Sequence, residues 1–253
     1  MALPVPILET SKISKRFGGF VAVNEVDFRV GAGEVRGLIG PNGAGKTTLV
    51  NLITGIYPPS AGDVRLDGAS LVGRSPHQVA HAGLMRSFQV ARLFGNLSLL
   101  ENLLIPHLAR GPHLALARGA ERAAGEERAW RFLELTRLAR QAHDPAKTLS
   151  GGQRALLQAA VGFMNPSLKC YVLDEPFAGI NPVIKESILT LIEHENRARA
   201  LTFVIVTHET ALVRRLCGQV SVMMGGRIAA EGTLDEIVRR QDVIAGYLGK
   251  AGA

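Results

Sequence analysis

The stretch Gly40-Pro41-Asn42-Gly43-Ala44-Gly45-Lys46-Thr47 fits the pattern G-x-x-x-x-G-K-[ST]. A strand-like run, 35–39, precedes it, and a helical run opening at Thr48 and reaching residue 54 follows it, which is the setting the pattern requires. Glycines let the backbone curl so that several N–H groups point inward at phosphate oxygens, and the helix start adds positive potential. Lys46 is then placed to set its ammonium against the β- and γ-phosphates of a nucleotide, and the Thr47 hydroxyl to ligate Mg2+. A glycine-rich turn with no ligand would explain the composition, but not the agreement of strand, loop and helix.

Far downstream, Tyr171-Val172-Leu173-Asp174-Glu175-Pro176 ends an apolar run in two adjacent carboxylates. Such groups are costly at the end of a buried strand unless something cationic or catalytic lies beside them. Asp174 is placed to hold Mg2+ through water, and Glu175 to orient or deprotonate an attacking water. Asp-Glu-Pro after a strand also reads as a helix start; the phosphate loop tips the balance toward chemistry.

A second unusual helix start is Leu149-Ser150-Gly151-Gly152-Gln153. Ser150 and Gln153 have capping-box spacing, which is the plain explanation. Two glycines in a first turn serve stability poorly, at about 1 kcal/mol each relative to alanine in a helix interior. They make sense where another molecule's phosphates approach the backbone, because the loop at 40–47 already serves its own nucleotide. On the residues alone, a cap and a site completed by a second chain both stand.

The remaining sequence sets the bounds. With 253 residues, 47% hydrophobic, the chain can bury one sizeable core, and a single α/β domain over 1–253 is expected. The net charge of +7 suits polyanions or an anionic surface without choosing among them. Cys170 and Cys217 form neither a CxxC pair nor a metal-ligand cluster, which fits a reducing compartment. The N-terminus has no basic segment followed by an apolar core, and the leucine-rich stretch 97–108 is broken by Glu101, Asn102 and Pro106. It falls short of the roughly 20 apolar residues that a span needs. A soluble protein is expected, meeting a membrane only through a partner or its surface.

Short β-type runs at 7–13, 23–30, 35–39, 64–66, 171–173, 202–206 and 220–223, several followed by helical patterns, predict an α/β core with a mainly parallel sheet. The near-continuous apolar runs 168–173 and 201–206 suit strands covered on both faces. From about 92 to 163 the pattern is helical and rich in Arg, Ala, Leu and Glu, and reads as a helical subdomain inserted in that core. Its segment 118–140 mixes arginines with Glu121, Glu126, Glu127 and Glu134, as a solvated helix face does. Thr233 and Glu236, with capping-box spacing, predict the start of a last helix.

Taken in order, these motifs resemble those of the ABC ATPases, and the resemblance covers essentially the whole chain. Leu149-Ser150-Gly151-Gly152-Gln153 looks like the family's signature sequence, lying between the phosphate loop and Asp174-Glu175. The resemblance implies a P-loop ATPase core, with an antiparallel β subdomain and the inserted helical one. It also implies roles for further residues. Phe17 sits where the family stacks an aromatic on adenine. Gln89, in Arg86-Ser87-Phe88-Gln89, matches the glutamine loop that touches Mg2+ and senses the transmembrane partner. Ala178-Gly179-Ile180-Asn181 matches the loop that communicates across the dimer, and His208 the switch histidine at the γ-phosphate. Any one of these alone is commonly structural; their joint order carries the resemblance. Two departures stand out. Ala155, Leu156 and Val161 occupy a helix stretch where family members often carry basic residues, and Asn181 replaces the commoner aspartate.

Within the family the chain is most similar to the ATPases of branched-chain, or hydrophobic, amino-acid importers. The supporting segments are Arg86 to Phe94, Leu99 to Leu103 with Glu101 and Asn102, and the closing stretch from Asp242 to Gly249. Asp174-Glu175-Pro176-Phe177-Ala178-Gly179 also resembles lipopolysaccharide-export ATPases. The resemblance implies a second ATPase subunit, identical or paralogous, bound head to tail, with each ATP held by the Lys46 loop of one chain and Ser150, Gly151, Gly152 and Gln153 of the other. It implies two transmembrane permease subunits, indirectly a solute-binding protein, and a cytoplasmic place on the inner face of the cell membrane. A nucleic-acid-associated ABC ATPase is disfavoured by the single cassette without long inserted coils, and a P-loop kinase or GTPase by the signature. No nucleic-acid partner is expected.

Overall fold

In the computed structural model of the chain, residues 6–87, 93–108, 118–177 and 180–248 are described. Two long strands, β1 (Pro6–Phe17) and β2 (Phe20–Gly31), pair antiparallel. In β2, Val26, Phe28 and Val30 are buried while Glu25, Asp27 and Arg29 face water, the alternation of a sheet with one covered face. Then come β3 (Val35–Ile39), α1 (Lys46–Ile53), β4 (Ala61–Leu66), β5 (Ala69–Ser70), α2 (Pro76–Ala82) and the three-residue β6 (Leu84–Arg86). Three helices follow, α3 (Leu99–Leu108), α4 (Arg118–Leu135) and α5 (Gly151–Phe163). The chain continues through β7 (Cys170–Asp174), α6 (Pro182–Arg199), β8 (Thr202–Val206), α7 (Thr210–Leu216), β9 (Gln219–Met224), β10 (Arg227–Gly232), α8 (Leu234–Ile237) and α9 (Gln241–Leu248).

These elements fall into two compact units, one of residues 1–86, 168–175 and 196–253, the other of 87–167 and 176–195. The first unit holds both sheets. One is antiparallel, in the order β2-β1-β4-β5; the other has the order β10-β9-β3-β8-β7-β6, parallel throughout except for the β9–β10 hairpin. This is the expected mainly parallel sheet accompanied by an antiparallel one. Every residue of β7 and β8 is buried, which accounts for their unbroken apolar runs. Leu8, Val23 and Phe28 from the antiparallel sheet share one core with Leu38, Val172 and Val204 from the parallel sheet and with Leu49 and Ile53 of α1. Each such side chain contributes about 1.5–3 kcal/mol on burial. Both sheets and the helix after the phosphate loop are therefore fixed against one another.

In the second unit α3 packs on α4 and α5, and Phe132 stacks on Phe163 with ring centroids 5.8 Å apart. Buried Asn102 holds the segment before α3: its Oδ1 accepts from the Phe94 N–H at 2.8 Å, and its Nδ2 donates to the carbonyls of Phe94, Leu97 and Ser98. The exposed Arg122–Glu126 pair one turn apart on α4 is the solvated charge pattern read from the sequence. Leu156, one of the apolar departures, is buried together with Leu157, Ala160 and Phe163 of its own helix.

Some elements differ from expectation. The strands β6 and β10 carry no alternating apolar pattern and take their form from neighbouring strands. Thr233 does cap a helix, with the full box to Glu236, but that helix stops at Ile237. The polar run from Arg239 to Asp242 offers nothing to bury, and helix resumes at Gln241.

Candidate functional site

The carboxyl ends of β3, β8 and β7, neighbours in the parallel sheet, carry the phosphate loop, Thr207-His208 and Asp174-Glu175 respectively. Ligand sites in open α/β sheets form at such strand ends. At Gly40 the backbone has φ 154°, and a Cβ there would lie 2.1 Å from the Met223 carbonyl oxygen. Gly45, with φ 102°, precedes α1, and its Cβ would lie 2.5 Å from the Ala22 carbonyl oxygen. Both positions need glycine for conformation and for room. No side chain caps α1, so its first N–H groups stay open to an anion.

Pro41 and Ala44 close the loop through the Ala44 N–H to the Pro41 carbonyl, and the Ala44 carbonyl accepts from Gly226. Asn42, Gly43 and Thr47 are exposed at its rim, with Thr48 half-buried behind them. Lys46 Nζ donates to the carbonyls of Gly40 at 2.7 Å and Pro41 at 2.9 Å, so the ammonium is held in the mouth of the loop. Burial lowers the Lys46 pKa from the ordinary lysine value, while the charges of Glu175 and Asp174 oppose that shift. These carboxylates therefore lie close enough to Lys46 to be felt by it.

Asp174 is buried at the end of β7, where Arg86 donates to its Oδ2 at 2.6 Å. Glu175 follows with φ 47°, a left-handed conformation rare for a residue with a side chain. Its N–H is tied to the Val206 carbonyl at 2.9 Å, which holds that turn, and its Oε1 lies 3.1 Å from His208 Nδ1. The His208 ring is otherwise largely exposed. Such a pair sets a proton acceptor and a polar ring side by side, where both can bind one water.

Phe17 is 45% exposed and meets Tyr57 edge-on, with centroids 5.5 Å apart. Lys15 Nζ lies 5.3 Å from one ring centroid and 5.7 Å from the other and donates to the Pro58 carbonyl at 2.6 Å. The outcome is a braced aromatic surface with area left to stack a base.

The rest of the expected set lies in the second unit. Ser150 and Gln153 form the complete capping box of α5, while Gly151 is exposed with open space around it. Gly152 faces Ile184, which a Cβ would approach to 3.1 Å. Asn181 accepts from the Ile184 N–H at 3.0 Å as the cap of α6. Gln89, Ala178 and Gly179 lie outside the described residues. The structure thus brings Lys46, Thr47, Asp174, Glu175 and His208 to one end of one sheet.

Three contributors escape a reading of the sequence: Arg86, Asn51, whose Oδ1 accepts from the Arg86 guanidinium, and Tyr57. Arg86 stands three residues before Gln89 within a quoted motif, and that proximity was the available signal. For Asn51 and Tyr57 there was none.

The oxygen donors fit a hard cation. Among the described residues no group of three or more His, Cys, Asp or Glu could hold a metal. Mg2+ asks for one or two protein oxygens and takes the rest from phosphates and water, which the Thr47 hydroxyl and Asp174 carboxylate satisfy.

Comparison with known proteins follows the same line. The ABC transporter family model matches residues 23–178. The high-affinity branched-chain amino acid transport ATP-binding protein BraF of Pseudomonas aeruginosa is 38% identical, over 97% of this chain and 99% of its own. The probable branched-chain amino acid transport ATP-binding protein LivG of Archaeoglobus fulgidus is 34% identical, over 96% and 95%. A solved nucleotide-free ATP-binding cassette from an ABC transporter superposes with a TM-score of 0.81 at 31% identity, covering 96% of this chain and 99% of that one. The ADP conformation of the cassette MJ1267 gives the same TM-score and identity, covering 97% and 99%. With fold, loop and strand-end carboxylates in agreement, the chain belongs to the ABC transporter family, with the fold of its ATP-binding cassettes.

Proposed function

We propose that this chain is the ATP-hydrolysing subunit that powers a membrane importer of amino acids, branched-chain or otherwise hydrophobic. The carrying observation is the meeting of the Lys46 loop, Asp174-Glu175 and His208 at three adjacent strand ends. The substrate class rests on the relatives, which are transport ATP-binding proteins for branched-chain amino acids matched over nearly their whole length.

In this reading the loop N–H groups and Lys46 bind the triphosphate and Phe17 stacks on the adenine. Thr47, Asp174 and Gln89 would hold Mg2+, which when bound would screen the phosphate charge. Glu175 takes a proton from the attacking water, whose oxygen bonds to the γ-phosphorus as the bond from that phosphorus to the β–γ bridging oxygen breaks. His208 steadies that carboxylate and meets the γ-phosphate, and the proton passes from Glu175 to the departing phosphate. Phosphate and ADP leave. Ser150, Gly151, Gly152 and Gln153 serve the nucleotide of a second cassette lying head to tail, and Asn181 stands in the loop that communicates across that pair. Closure of that pair by ATP is a population shift, driven by tighter binding to the closed state. Among the described residues no helix is long and apolar enough to cross a membrane. In this reading the chain works through permease subunits, as a peripheral protein on the inner face.

The test is purification from solubilised membranes followed by ATP turnover in proteoliposomes. Co-purifying permeases and uptake of a hydrophobic amino acid that stops with Ser150→Arg support the reading. Phosphate release coupled to no permease, or uptake indifferent to Ser150→Arg, sinks it.

A further inference from the structure

Arg86 ends β6, next to β7 in the sheet, and is 13% exposed in its side chain. Its guanidinium reaches two elements at once. Nη2 donates to Asp174 Oδ2 at 2.6 Å, and Nη1 donates to Asn51 Oδ1. Asn51 lies on α1, one turn beyond Thr47. One planar fork therefore ties the strand end that carries Asp174 to the helix that carries Thr47, the two oxygen donors fitted above to Mg2+.

Stability alone explains this arrangement poorly. The Arg86 Nε is buried with no hydrogen-bond partner among the described residues. An unpaired buried donor is a cost that proteins retain where the group serves something else. A guanidinium, rigid and doubly donating, can fix two acceptors at a set separation, which a lysine ammonium on a flexible stem cannot. Partners of this kind behind a metal ligand orient it, and their loss commonly weakens metal affinity by about 10–100-fold.

We propose that Arg86 is a positioning residue for the Mg2+ site, setting the separation of Asp174 and Thr47 through its bridge to Asn51. The inference rests on the nucleotide-site reading above. It also places the residue three positions before Gln89 in direct contact with a metal-site carboxylate.

The experiment measures binding of a non-hydrolysable ATP analogue to the full chain across a MgCl2 series and in EDTA, with Mn2+ bound to the same complex read by electron paramagnetic resonance. For Arg86→Gln, the Mg2+ concentration giving half the metal-dependent gain in affinity rises by about tenfold or more. Binding in EDTA is unchanged and the Mn2+ spectrum broadens. Arg86→Lys, which keeps the Asp174 contact but not the fork, recovers only part of the loss. Asn51→Ala shifts the midpoint in the same direction, and these two variants carry the test if Arg86→Gln does not fold. An unchanged midpoint in the folded variants overturns the proposal. So does a lower midpoint, which would make Arg86 a competing cation. A wild-type chain whose nucleotide binding ignores Mg2+ removes the site reading itself, and is told apart because the variants then have nothing to shift.

Discussion

His208 Nδ1 and Glu175 Oε1 lie 3.1 Å apart although 33 residues separate them, joined by two adjacent parallel strands whose ends they follow. Glu175 sits there at φ 47°, a conformation costing about 1–3 kcal/mol that the Val206 hydrogen bond helps to hold. Glu175→Gln keeps the shape and loses the base. We expect ATP binding to persist and phosphate release to fall by about 10²-fold or more. Turnover near the wild-type rate would show that another group activates water.

Lys46→Ala removes the ammonium held by the Gly40 and Pro41 carbonyls. Tight ATP binding should be lost, while the melting temperature without nucleotide stays close to wild type, because the lysine fills no core position. Calorimetric titration with ATP reads the first and a thermal melt the second. Unchanged ATP affinity would remove the phosphate-loop assignment.

Asn102→Ala strips four hydrogen bonds from the segment between Phe94 and Ser98. Leaving buried backbone groups unpaired costs about 1–3 kcal/mol. In a chain of this size each kcal/mol lowers the melting temperature by about 2–4 °C. Calorimetry should register that fall, and a melt indistinguishable from wild type would mean the segment repacks around water.

Asn181 caps α6 through its side-chain oxygen, and aspartate supplies the same acceptor. Asn181→Asp should therefore be neutral in stability, whereas Asn181→Ala should cost about 1 kcal/mol. Denaturant midpoints compare the pair. A destabilised aspartate variant would point to a negative charge nearby that the cap geometry does not reveal.

Burial pushes the thiols of Cys170 and Cys217 up to about 12, with Glu34 adding to the rise at Cys217 and Arg36 opposing it. Both should stay protonated at neutral pH and react slowly with a thiol-selective reagent in the native protein at pH 8, then fast in denaturant. Rapid native labelling of either would contradict the packing around it.

Local devices were legible. The phosphate loop, the capping boxes at Ser150 and Thr233 and the carboxylate pair Asp174-Glu175 each use neighbouring residues, so sequence spacing carries their geometry. The buried strands β7 and β8 were legible because, apart from Asp174 at the end of one and Thr202 at the start of the other, their residues form apolar runs. What escaped depends on distant partners. The strand β6 is three residues long and defined by its neighbour, and Arg86 reaches across 88 positions to Asp174 and 35 to Asn51. Phe17 was expected to face a base, but its brace by Tyr57 and Lys15 appears only once β1 and the 54–60 turn come together.

By itself, then, the chain of residues pointed to the chemistry: a glycine cradle, one lysine and a pair of carboxylates announced by their immediate neighbours, and a histidine indicated only by the joint order of the motifs. The tertiary structure alone decided how these groups are held. Hydrogen bonds and charge act over a few ångströms, and which residues come that close is set by the order of strands in a sheet, which no local spacing encodes.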